Sequence, residues 1–275
     1  MSKDLCELIN AAVNYIVDDP NNPRGDHYGS LFNSYCPDDK CDTDDKKVSS
    51  TFISLLKSFK NIDDKENLES DKFVEYTILW LSYIINQITQ NGTTKLYDFY
   101  TKNIESNSNY YEEDIFADNN IRKDVIDKKI GSMNIDINDI SNFYVAFKSL
   151  CNMYSEFNEE TINCTKYLQK ANEFSEKYQK VIGGSSVDKH SSYYKLLYNL
   201  SNDHEYFKNK YNSEECNNFS SLADYSRSSV IKNTLITIGI IFVAASILLG
   251  VSYKYSLFGF RKRPEKQHLR EMLKK

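Results

Sequence analysis

Glycine and proline are scarce in this 275-residue chain, with nine and four respectively. No glycine-rich phosphate loop is present, neither GxGxxG nor a P-loop, so nothing points to nucleotide chemistry. HExxH and GxSxG are missing too, which removes the common zinc-peptidase and α/β-hydrolase signatures. The four histidines, His27, His190, His204 and His268, are scattered along the chain. Carboxylates are plentiful but spread over helix faces, the pattern of solvated surface charge rather than of an acid–base pair. A zinc site is disfavoured: Cys36 and Cys41 are separated by four residues, no second close cysteine pair exists, and His27 stands alone. The expectation is a protein without catalytic residues, cofactor or metal. No strand-period segment, heptad run or internal repeat is present either.

Charge is absent from one long stretch. NTLITIGIIFVAASILLGVSY, residues 233–253, is a run of 21 residues without a charge, between Lys232 and Lys254. A helix rises about 1.5 Å per residue, so the run reaches roughly 31 Å, enough to cross a hydrocarbon core of about 30 Å. Eleven of its residues are Leu, Ile, Val or Phe. At about −0.3 to −0.6 kcal/mol each, they favour insertion by about 3 to 7 kcal/mol. The run predicts a single membrane-spanning helix, with the lipid bilayer as a partner.

The flanks predict its orientation. Eight basic residues against two acidic give residues 254–275 a charge of +6; the whole chain carries −5, which leaves −11 before the tail. Basic loops stay on the cytosolic side, so Lys254, Arg261, Lys262 and Arg263 mark a cytosolic juxtamembrane segment and the head lies outside. Anionic head groups attract such a tail by about 1 kcal/mol per basic residue near the surface. An acidic head argues against a nucleic-acid partner. The N-terminus, MSKDLCELINAAVNYIVDD, reads as an amphipathic helix rather than a signal peptide, since Lys3, Asp4 and Glu7 interrupt any apolar region. A C-terminal anchor alone is often inserted with its head in the cytosol, so cysteine usage has to decide.

All six cysteines, Cys6, Cys36, Cys41, Cys151, Cys164 and Cys216, precede the uncharged run. That distribution fits a head that matures in an oxidising compartment, with disulfides worth about 2 to 4 kcal/mol each. Cys151 and Cys164 sit at similar distances from a turn near Asn158, so an antiparallel hairpin is expected to join them. Asn91, Asn163, Asn199 and Asn218 begin glycosylation sequons, a weak signal in a chain so rich in asparagine.

The head reads as an all-α bundle. Leu5, Leu8, Ile9, Ala12, Val13, Ile16 and Val17 follow helical spacing. Residues 20–47 read as loop. Val48, Phe52, Leu55, Leu56 and Phe59 mark a second helix, and Phe73, Val74 and Tyr76 to Ile85 a third. The third is apolar almost all round and holds the single tryptophan, Trp80; it is too short to span a bilayer and predicts a buried core helix. A helix around Leu96, Tyr100 and Ile104 follows, then an ambiguous stretch over 105–136. Ile140, Phe143, Tyr144, Phe147, Cys151 and Tyr154 predict one further helix, and Cys164 to Gly184 another. A last amphipathic pair is expected over 190–211. The domain reading is a helical ectodomain over 1–216, a polar stalk over 217–232, the span over 233–253 and a basic tail over 254–275.

Several of these residues carry a family resemblance. The tail YKYSLFGFRKRPEKQHLREMLKK, residues 253–275, resembles that of the Plasmodium interspersed repeat (PIR) proteins, particularly those of rodent malaria parasites. Cys6 within DLCELI, the YCPDDKC loop at 35–41, FVEYTILWLSYIINQ at 73–87 and the region of Cys151 are similar to the same family. The resemblance implies a multigene variant antigen with a disulfide-bonded helical ectodomain, exported to the infected red cell and displayed in or near its membrane. It implies roles in immune evasion or adhesion, with a host-cell receptor or antibody as the ectodomain's partner. It carries no catalytic residues. The alternative is an intracellular membrane-anchored adaptor whose head faces a cytosol.

Overall fold

The computed structural model describes residues 1–17, 25–62, 68–88, 95–107, 110, 121–133, 137–157, 163–184 and 192–211. The chain divides into two units, Met1–Leu222 and Ala223–Lys275, and every described residue belongs to the first. The uncharged run, the stalk, the tail and Cys216 lie outside the described residues. Among those residues, no helix is long and apolar enough to cross a membrane.

The described elements are all helical. They are α1 (Lys3–Ile16), α2 (Gly25–Asn33), α3 (Asp44–Ser58), α4 (Ser70–Ile88), α5 (Leu96–Phe99), α6 (Lys123–Ser132), α7 (Ile137–Glu156), α8 (Cys164–Gly184) and α9 (Ser192–Tyr211). Their starts follow capping chemistry. Ser2 accepts from Leu5 N at 3.3 Å, Thr43 from Lys46 N at 3.3 Å and Asn163 from Lys166 N at 3.0 Å. Each takes up a backbone N–H that the first helical turn leaves unpaired.

α7 is the hub, packing against α1, α4, α8 and α9. α4 is buried along most of its length, including Trp80, as its nearly all-round apolar pattern predicts. α7 and α8 form the predicted antiparallel hairpin, and α8 runs to Gly184 as expected.

α3 carries a hydroxyl-rich face. Ser50 and Ser54 donate to the carbonyls of Phe32 and Leu31, at 2.5 and 2.9 Å, and Ser50 also accepts from Tyr35 N at 3.0 Å. The last carbonyls of a helix have no partner within it. α3 therefore supplies the C-terminal cap of α2.

Three expectations need correction. Cys151 is not bonded to Cys164; it pairs with Cys6, their Cα atoms 5.0 Å apart. The ring pair Phe157–Tyr167, centroids 5.0 Å apart, centres the hairpin near residue 162. That register sets Cys151 level with later turns of α8, not with its first residue. Residues 20–47 are not all loop, since α2 lies within them. Its Asp, Gly and Asn conceal a Tyr28–Phe32 pair at i,i+4 that packs on Tyr15 of α1, an instance of tertiary packing overriding weak propensity. The helix expected around Leu96, Tyr100 and Ile104 is present, as α5 followed by a π-helical turn, Tyr100–Ile104. Residues 192–211 form one helix, not a pair. Leu196, Leu200 and Phe207 keep helical spacing without a breaker.

Candidate functional site

Two clusters of polar groups stand out from the apolar packing. The first surrounds Asp203 on α9. The Met1 ammonium and Lys72 Nζ contact its Oδ1 at 2.6 and 2.7 Å, and Tyr76 donates to Oδ2 at 2.6 Å. Tyr154 donates to the Asp203 carbonyl at 2.7 Å. Burial drives the Met1 amine below its ordinary pKa, against the pull of Asp203. Burial, reinforced by Asp203, pushes the Tyr76 hydroxyl well up. Both carboxylate oxygens are already engaged, so the cluster is a fastening between α4, α7, α9 and the first residue rather than a reactive centre. Beside it His204 is fully buried and stacked on Phe174, ring centroids 5.2 Å apart. Neither ring nitrogen has a hydrogen-bond partner among the described residues.

The second cluster is a cleft of about 400 Å³ walled by α4, α6 and α9. Glu75 of α4 is buried there. Its Oε1 receives Lys129 Nζ at 2.5 Å and Lys195 Nζ at 3.1 Å, and its Oε2 accepts from Asn199 Nδ2 at 2.6 Å. Asp71 sits 3.7 Å from both ammonium groups. Lys195 is held above its ordinary pKa by the Glu75 and Asp71 carboxylates, which outweigh the opposing, and largest, effect of burial. The arrangement is suited to holding a polar ligand by charge and hydrogen bonds.

Sequence reasoning passed over Glu75, treating its surroundings as purely apolar. A signal was available: a carboxylate inside FVEYTILWL has to be paired if it is buried. The sequons meet different fates. Asn199 has its amide nitrogen committed to Glu75, Asn163 uses its oxygen to cap α8, and Asn91 and Asn218 lie outside the described residues.

The cysteines are placed as follows. Cys6 and Cys151 join α1 to α7, both buried. Cys36 and Cys41 close a short loop after α2, Cα atoms 5.3 Å apart. Cys164 is disulfide-bonded as well. Lys254, Arg261, Lys262 and Arg263 lie outside the described residues. Among the described residues, no group of three or more His, Cys, Asp or Glu could hold a metal ion.

Paired buried charges inside a disulfide-bonded fold whose described elements are all helical define the class: a stapled helical module. The comparisons make this specific. The family model described as Plasmodium variant antigen protein Cir/Yir/Bir matches residues 6–254, and the chain belongs to that PIR family. A solved structure of a Plasmodium PIR protein ectodomain is 36% identical, with a TM-score of 0.65, covering 80% of this chain and 98% of that one. No curated protein matches. The resemblance read from the sequence is thereby borne out.

Proposed function

We propose that this variant antigen is a non-enzymatic, single-pass membrane protein of the malaria parasite, exported to the infected red cell. Its helical head, residues 1–216, stands outside the membrane and serves immune evasion or adhesion to a host receptor. Residues 217–232 form the stalk, 233–253 the span and 254–275 the cytosolic tail, with Lys254, Arg261, Lys262 and Arg263 at the membrane face. One observation carries the reading: the family match runs through residue 254 and so takes in the whole uncharged run. The similarity of the head to a PIR ectodomain supports it. So do the disulfides, which persist in oxidising compartments and are rare in a cytosol. They also weigh against the adaptor alternative.

The test is topology in intact infected cells. Tags at the head and the tail, external protease and a membrane-impermeant thiol label are read together. The reading expects the head tag to be cleaved, the tail tag to be protected and the head thiols to label only after reduction. A protected head with freely labelling thiols after permeabilisation would instead establish the cytosolic adaptor.

A further inference from the structure

The cleft between α4, α6 and α9 holds more hydrogen-bond donors than its own acceptors use. An ammonium carries three donors, so Lys129 and Lys195 bring six between them. Their hydrogen bonds to the cleft carboxylates are one each, both to Glu75 Oε1, at 2.5 and 3.1 Å. Asp71, at 3.7 Å from each, is beyond hydrogen-bond distance. The Lys129 side chain is only 14% exposed, so water reaches its spare donors poorly. Lys128 lines the same cleft, exposed and with no ion-pair partner among the described residues. Four cations against three carboxylates make the cleft positive, within a head that is acidic as a whole. Its volume of about 400 Å³ falls in the range of small-ligand sites.

We infer that this cleft binds an acidic monosaccharide unit, a sugar ring bearing one carboxylate. The carboxylate meets Lys128 and the spare donors of Lys195 as charge-assisted hydrogen bonds. The ring hydroxyls donate to Asp71 on the cleft wall, whereas Asp124 beside it has both oxygens taken by Arg122, at 2.9 and 2.6 Å. This mixture of donors and an open acceptor favours a sugar acid over an acidic peptide side chain, which would present only acceptors to Asp71. Glu75 is a positioning residue, since it holds the two lysines together and has both oxygens occupied.

The inference deepens the reading of the head as a binding ectodomain and rests on it. Sugar binding in solution and topology on cells are separate measurements, so either can fail without the other. The experiment is saturation-transfer NMR on the full chain in detergent micelles, titrated with glucuronic acid, glucose and glutarate. Glucuronic acid is expected to bind in the millimolar range. Glucose, lacking the charge, and glutarate, lacking the hydroxyls, are expected to bind about tenfold more weakly or worse. Lys128→Gln is expected to weaken glucuronic acid binding about tenfold without changing the unfolding temperature, since Lys128 has no ion pair to lose among the described residues. Lys195→Gln is expected to weaken it similarly. Absence of saturation transfer to glucuronic acid, equal binding of glutarate, or undiminished binding by Lys128→Gln would each overturn the assignment.

Discussion

His204 makes the stability of the head sensitive to acid. Burial, with a smaller contribution from Lys208, pushes its pKa down to about 3, against about 6.5 in an unfolded chain. The native state therefore holds the neutral ring. Its contribution is fully present above pH 6.5 and is lost as pH falls from there toward 3, where the unfolded chain takes up a proton that the native state refuses. The slope is at most about 1.4 kcal/mol per pH unit for this one group. Urea unfolding of the wild type at pH 7.5 and pH 5.5 is expected to differ by about 1 kcal/mol more than that of His204→Phe. An identical pH dependence in the two proteins would show that the ring is not buried as described. The residue was partly legible in the sequence: Leu196, Leu200, Asp203, His204 and Phe207 fall on one face of α9. Two polar residues on an apolar stripe announce buried pairing or strain. What the stripe does not announce is their partners, since Tyr76 and Met1 come from distant parts of the chain.

At the scale of elements, α2 and α7 depend on neighbours. Ser50 of α3 bonds the Phe32 carbonyl in a buried setting. Ser50→Ala is expected to cost about 1 to 3 kcal/mol, the penalty for leaving a buried carbonyl unpaired. Hydrogen exchange would locate the damage in α2, through faster exchange at residues 28–33 than in α7. Removing the Cys6–Cys151 bridge by the double change to alanine is expected to lower stability by about 2 to 5 kcal/mol, because it closes a long loop, 145 residues apart in sequence. The same comparison made under reductant should erase most of that difference. Helices α1, α3, α4, α7 and α8 were readable from periodicity and turn residues, because their apolar faces repeat every three to four positions. α2 was not, because its short sequence is poor in helix formers and its stability comes from Tyr15 and the serines of α3.

At the scale of the whole molecule, charge is divided unequally, with +6 in residues 254–275 and −11 before them. The uncharged run between them is the element on which the proposed display depends. Ile241→Arg places a cation near its middle and is expected to cost about 2.5 to 3.5 kcal/mol of insertion free energy. Fractionation of cells expressing this variant should show a clear loss from the carbonate-resistant membrane pellet; full retention would count against a spanning helix at 233–253.

The amino-acid sequence alone determined the helical class, most helix positions, the uncharged run, the charge asymmetry and the family. These are properties of short windows, where periodicity, composition and motif suffice. The tertiary structure alone decided that Cys6 meets Cys151, that Cys36 meets Cys41, and that Glu75 and Asp203 gather cations from distant helices. The entropy of closing a loop grows only slowly with its length, so separation along the chain does not select partners. Helix register and the need to pair every buried charge select them, and both come into being only when the helices pack.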